Sequence, residues 1–280
     1  MWTFEEQVLP LGGWINTFIN WLVEGYRWFF QGIKWPVEVT LGGMELGLQA
    51  VHPYVIILMV GFAAWKASGW KLGIASILML IFIGLLGLWE DTMITLAMVF
   101  SSVVFCTIAG LPLGILAGRS NRFDSILRPF LDGMQTTPAF VYLVPIVMLF
   151  SIGNVAGVLA TIVFALPPLI RLTSLGIRQV HPELVEAALA FGATNWQVLR
   201  KVQIPLALPT IMAGMNQTIM MALSMVVIAA LIGAGGLGAP VVLGLNTLDI
   251  GTATVGGIGI VLLAIILDRI TQALGTKKNN

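Results

Sequence analysis

Few residues in this chain are of kinds that do chemistry, and they do not gather. The two histidines, His52 and His181, are far apart, and no pair of His, Asp or Glu recurs at ligand or acid–base spacing inside an apolar run. Cys106, the one cysteine, sits within an apolar run, cannot form an intramolecular disulfide, and packs as a small apolar residue. There is no Gly-x-x-x-x-Gly-Lys-Ser/Thr phosphate loop, so the chain does not hold ATP itself. Four glycines fall within six positions at Gly233, Gly235, Gly236 and Gly238, but they do not match a phosphate loop either. The residues instead suit binding and passage. Gln135, Thr136, Thr137, Asn216, Gln217 and Ser224 are polar groups within apolar runs, and 172–205 is a loop patterned for docking.

The elements that must position these groups follow from composition. The chain has 280 residues, 58% hydrophobic and 10% charged. Soluble domains carry roughly 25% charged residues, and one core of this length cannot hide so much apolar surface. A soluble enzyme, a disordered chain and a disulfide scaffold are excluded, and an all-α integral membrane protein remains. A bilayer core of about 30 Å takes roughly 20 apolar residues per helix. Seven candidate spans result: 46–65, 72–89, 93–118, 129–152, 155–171, 206–233 and 252–270. The first is interrupted by Gln49, His52 and Pro53, and six spans remain if it lies in the interface. The fifth is short and ends at Pro167 and Pro168. Long alternating strands are absent, which argues against a barrel.

Lys and Arg collect in alternate connections: Lys66 and Lys71, then Arg119, Arg122 and Arg128, then Arg171, Arg178, Arg200 and Lys201, then Lys277 and Lys278. The basic connections are expected inside, with the N-terminus outside and the C-terminus in the cytoplasm. Residues 1–50 are expected to form an extracytoplasmic segment, 51–275 the membrane domain and 276–280 a cytoplasmic tail. Between Trp14 and Lys34, Asn16, Asn20, Glu24, Arg27 and Gln31 form one polar stripe, with tryptophans and phenylalanines on the rest. That pattern suits a helix lying in the interface, or one packed on the bundle's side.

The loop at 172–205 carries the most information. Pro182 and Glu183 suit the first turn of a helix. Leu184, Ala187, Ala188 and Phe191 then recur as one apolar face, and Gly192 ends it. Thr194 and Gln197 form a capping box that opens a second short helix, which Pro205 helps stop. Two short helices joined by a sharp elbow look built to dock into another protein.

Here the chain resembles a known family. Glu186-Ala187-Ala188, Gly192, Val202 and Ile204-Pro205 match, in every spacing, the signature loop of ABC-importer permeases, with Val202 and Ile204 in place of the commoner Ile and Leu. Residues 201–230, Gly235 to Gly238, 264–272 and 131–145 look like the glycine betaine/proline betaine permeases. The resemblance runs from about 89 to 274 and does not firmly cover the first 50 residues. It implies the type I importer transmembrane fold, in a cytoplasmic-membrane homodimer on two ATPase subunits that bind ATP and Mg. A separate extracytoplasmic binding protein would deliver the ligand, and no nucleic acid is involved. By the same resemblance Leu184, Glu186, Ala187, Ala188, Phe191, Gly192, Ile204 and Pro205 form the ATPase-coupling loop, with Glu186 expected to pair nearby, Arg200 being one partner.

The pathway is less sharply written. Asp132 either faces a cavity or pairs with Arg128 one turn back. Gln135, Thr136, Thr137, Asn216, Gln217 and Ser224 either line the path or make interhelical hydrogen bonds. Phe140 and Tyr142 either offer aromatic faces or belong to the core. The glycine run 232–240 is read as an outside gate or docking loop, against a plain flexible connection. Choline, carnitine or another small amine or amino acid would suit the same architecture. A secondary transporter would need ion-coordinating sites or inverted repeats, which the chain lacks.

Overall fold

The computed structural model describes residues 10–276, and helices make up nearly all of them. In order they are α1 (Leu11–Gly25), α2 (Arg27–Ala50), α3 (Pro53–Ser68), α4 (Trp70–Leu85), α5 (Trp89–Arg119), α6 (Asn121–Thr136), α7 (Ala139–Phe150), α8 (Asn154–Arg178), α9 (Pro182–Ala190), α10 (Asn195–Val198), α11 (Ile204–Ala230), α12 (Gly238–Thr247) and α13 (Ile250–Thr276). A π-helical turn, Leu199–Gln203, joins α10 to α11.

Four helical runs are each long and apolar enough to cross a membrane: α5, α8, the run Asn195–Ala230 and α13. The pairs α2–α3 and α6–α7 pass only when each is taken as one span, and they bend by 104° and 97°. That gives four to six spans, against an expectation of seven, or of six with the first in the interface. The expected span 72–89 is α4, with 16 residues. At 1.5 Å per residue it reaches only about 24 Å.

The proline positions explain the breaks. A residue before proline is driven out of the helical region by the pyrrolidine ring. His52 and Thr137, before Pro53 and Pro138, are extended, with ψ of 136° and 126°. The expected span 46–65 is therefore split, its first residues ending α2. Likewise 129–152 is split into the amphipathic α6 and the apolar α7. Pro167 and Pro168 behave differently: α8 runs straight through them to Arg178. Both are buried, and α8 lies between α5 and α11, so tertiary packing holds the helix where sequence reading ended it.

That packing is close because small residues face the contact. A Cβ on Gly114 of α5 would sit 2.5 Å from the Thr173 Cβ, one on Gly110 3.0 Å from Leu169, and one on Gly118 2.9 Å from Ile177. Glycine every fourth residue lets the two backbones approach, and dispersion over that contact replaces the hydrophobic drive that lipid does not supply. The α3–α4 hairpin packs on α13, where Ile56, Leu80, Ile83, Leu263 and Ile266 join one apolar cluster with Leu96 and Leu223.

The stretch from Trp14 to Lys34 is divided at Tyr26 into α1 and the start of α2. None of α1 is buried, and Trp14, Phe18 and Trp21 are exposed. Further along, α2 sets Val37 and Leu41 against Ala97, Met98, Val158 and Ala234. Lys277 and Lys278 lie outside the described residues.

Candidate functional site

At one end of the bundle α9 stands clear of the helices. None of its residues is buried. Leu184 is 46% exposed and Phe191 91% exposed, the latter unusually bare for an aromatic residue. The elbow after it is backbone-built. Gly192 has φ +82°, donates to the Leu189 carbonyl at 2.9 Å, and is followed by Ala193 donating to Ala188 at 3.0 Å. These two bonds make a Schellman ending, which wants glycine at the left-handed position. Thr194 and Gln197 then close the expected capping box, with bonds of 2.8 and 3.3 Å.

Pro205 does not stop the next helix. A proline in a helix loses one hydrogen bond and clashes with the carbonyl four residues back. Here the preceding turn widens to π geometry, Ile204 donating to the Leu199 carbonyl five residues back, and the helix continues to Ala230. The elbow is thus joined to α11 through one helical run. Val198 and Leu199 are buried, Leu199 beside Ile177 and Ala207, which anchors the elbow to α8 and α11. Glu186 and Arg200 are both exposed, and neither is in the ion pairs formed among the described residues. The pairing suggested for them is not made. The cation that braces this end is Arg178, which donates to the Ala117 carbonyl and to Asn121 Oδ1, each at 2.6 Å, and lies 3.4 Å from Asp124.

The polar groups expected along a path fall into two places. At the α6–α7 break, Thr136 and Thr137 donate to the Asp132 and Gly133 carbonyls within their own helix. The Tyr142 hydroxyl reaches back across the break to the carbonyls of Met134 and Thr137, at 2.7 and 2.6 Å, and so covers the end of α6. Gln135 is half-buried there. Asp132 does not pair with Arg128. It takes Arg171 of α8 at 2.5 Å, while Arg128 pairs with Asp124 at 2.7 Å. Both Arg171 and Asp132 stay partly exposed, so this link contributes at most about 1 kcal/mol.

On α11, Asn216 is tied to α13. Its amide donates to Asp268 Oδ1 at 2.9 Å, Gln272 donates to the same oxygen at 2.6 Å, and the Thr271 hydroxyl bonds the Asn216 carbonyl oxygen. The two bonds of Asn216 are interhelical, worth about 0.6 kcal/mol each in a membrane, whereas the Gln272–Asp268 bond lies within α13. Gln217 lies beside them, exposed, on a groove of about 400 Å³ bounded by Pro209, Met212 and Gln272. Ser224 is exposed and donates to the Met220 carbonyl.

The glycine run sits at the other end and is fastened down. The Gly235 N–H donates to Asn154 Oδ1 at 2.7 Å, and the Leu237 N–H to Thr95 Oγ1 at 2.9 Å. Gly236 and Gly238 are buried; a Cβ at Gly238 would lie 2.4 Å from the Val226 carbonyl oxygen. Gly233 and Gly236 have positive φ. Only Gly233 is exposed among the four. A freely moving connection does not fit these bonds.

Sequence reading missed the Arg171–Asp132 and Asn216–Asp268 links. A helix ended at Pro167 and Pro168 leaves Arg171 in a loop, whereas α8 carries it in its last two turns. Asp268 falls in the stretch 264–272, whose resemblance to the family says nothing of its partners. Both had a visible signal: a charged residue inside an apolar run needs a partner.

The chain matches the family model described as binding-protein-dependent transport system inner membrane component over residues 110–280. It is 56% identical, over 97% of its length and 77% of the relative's, to the glycine betaine/proline betaine transport system permease protein ProW of Escherichia coli (strain K12). It is 45% identical to the glycine betaine/carnitine transport permease protein GbuB of Listeria monocytogenes, over 96% of each chain. Among solved structures it is similar to a chain of the MetNI methionine ABC transporter in an inward-facing conformation. The TM-score is 0.57 at 27% identity, covering 64% of this chain and 92% of that one.

Proposed function

Because the chain belongs to the family of binding-protein-dependent transport system inner membrane components, we propose that it moves glycine betaine or proline betaine across the inner membrane, as a homodimer on two ATPase subunits. The chain is a multi-pass transport subunit, not an enzyme. The family implies an ATPase that binds ATP and Mg and a binding protein that delivers the ligand. The observation that carries the coupling role is the elbow, whose Leu184 and Phe191 are left uncovered. In the assembly these side chains, with Ala187 and Ala188, enter a cleft of the ATPase. The helical run from Asn195 to Ala230 then passes movement of the elbow into the span.

The ligand class comes from the names of the relatives, and its chemistry suits this chain. A betaine joins a quaternary ammonium to a carboxylate and has no net charge. Near the α6–α7 part of the expected path the charges of Arg171 and Asp132 neutralise each other, and near Gln217 the Asp268 carboxylate is occupied by hydrogen bonds from Asn216 and Gln272. We assign Gln135, Thr136, Thr137, Gln217 and Ser224 to the lining of this path and Asn216 to its support. The Gly233–Gly238 loop closes the outer end as a rigid gate. The basic end of the bundle, with Arg119, Arg178, Arg200 and Lys201, faces the cytoplasm. Carnitine is the second reading, because GbuB is named for both ligands.

The test is reconstitution with the partner ATPase and binding protein in liposomes, followed by uptake of glycine betaine, proline betaine, carnitine and choline. ATP-dependent uptake of a betaine is the expected result. Uptake without the ATPase would overturn the importer reading. Transport of choline or carnitine with no betaine would overturn the ligand.

A further inference from the structure

The outer side of the α3–α4 hairpin carries a groove of about 370 Å³, whose walls are Leu58, Phe62, Trp65, Trp70, Ile74 and Ile77. All six side chains are apolar or aromatic, and the hairpin's opposite side is the one that packs on α13. The groove has a fixed shape because the helices touch at glycine. A Cβ on Gly61 would come within 2.5 Å of Ile77, and one on Gly73 within 2.9 Å of the Trp65 Cβ. At the mouth of the groove the chain turns through Ser68 and Gly69, the latter at φ +99°. Lys66 and Lys71 flank that turn and are exposed, and the Lys66 ammonium lies 5.1 Å from the centre of the Phe62 ring. From Leu46 to Trp89 there is no Asp or Glu at all.

We infer that this hairpin binds one anionic phospholipid, an acyl chain in the groove and the phosphate between Lys66 and Lys71. Three observations meet in that reading. The groove lies on two apolar helices of a multi-pass membrane chain, for which hydrocarbon is the natural neighbour of an outward apolar face. Trp65 and Trp70 sit beside the turn, and tryptophan is enriched at the headgroup level of membrane proteins. Lys66 and Lys71 flank the turn at the end of the groove, both exposed, so two cations stand where the headgroup of a lipid held in the groove would be met. A second copy of the protein fits less well, since two such basic turns would repel.

The assembled complex with its ATPase, exchanged into detergent with added phosphatidylglycerol or phosphatidylcholine, tests this by native mass spectrometry. Wild type is expected to retain one phosphatidylglycerol per permease chain in preference to phosphatidylcholine. Near an anionic surface each lysine is worth about fivefold in affinity. Lys66→Gln/Lys71→Gln should therefore lose the preference by about 25-fold, and Lys66→Arg/Lys71→Arg should keep it. Ile74→Trp fills the groove and should weaken retention of both lipids. Equal retention of the two lipids by wild type, or a preference untouched by the Gln pair, would overturn the site. The readout does not depend on which ligand is transported.

Discussion

At the scale of single residues, glycine does two different jobs here. Gly192 is needed for its backbone alone: φ is +82° and a Cβ would meet nothing within 4 Å. Gly236 is needed for both reasons, since φ is +85° and a Cβ would lie 2.5 Å from Thr95 Oγ1. That hydroxyl also accepts the Leu237 N–H. A left-handed side chain costs roughly 1–2 kcal/mol, and losing a buried bond adds about 1–3 kcal/mol. Gly236→Ala is therefore expected to lower the thermal midpoint of the purified complex well below that of Gly192→Ala. Gly192→Asp should insert and assemble yet lose uptake. Equal midpoints for the two alanine variants, or normal uptake by Gly192→Asp, would contradict these assignments. Both glycines stood out in the sequence as punctuation. Their difference did not, because it depends on what lies opposite. Asp249 shows the same limit: Thr252's hydroxyl and then its N–H bond its carboxylate and hold it below the usual range, a cap that forms only where α12 turns into α13.

Among the elements, proline is decided by its surroundings. Pro53 and Pro182 each begin a helix and Pro138 immediately precedes one, all after an extended residue, while Pro112, Pro167, Pro168 and Pro209 lie inside helices. Pro205 is the informative case. Its ring is accommodated by the π turn at Leu199–Gln203, which carries one extra residue against an ordinary helical turn. In Pro205→Ala the restored N–H lets this turn close to α geometry. The elbow would then rotate by about 100° relative to α11. Uptake should fall several-fold while the thermal midpoint holds or rises. Unchanged uptake at unchanged stability would show that the π turn has no part in coupling. The helix ends around Gly192 and Thr194 were legible because capping is local. The π turn was not, since its cause is a compromise between Pro205 and the packing of Val198 and Leu199.

For the whole molecule, the alternation of basic connections predicts an orientation that labelling can read. Cys106 is buried and supplies no background. Leu248→Cys, at the exposed α12–α13 turn, and Ala193→Cys, at the elbow, stand at opposite ends of the bundle. An impermeant maleimide on intact cells is expected to label the first and not the second. The reverse pattern would put the elbow outside, where no ATPase could reach it.

Sequence alone determined that the chain is a helical membrane protein and a transport subunit. Hydropathy and the spacing from Glu186 to Pro205 are properties of neighbouring residues, so they can be read without a fold. Sequence also marked where most helices would begin. Tertiary structure decided what those helices do once packed: α8 continues through Pro167 and Pro168, Asp132 chooses Arg171 over Arg128, Asn216 joins Asp268, and the glycine loop is fastened rather than loose. Each of these is a contest between a local preference and a partner distant in the chain. The partner wins where it satisfies a polar group or covers an apolar face that the local preference alone would leave bare.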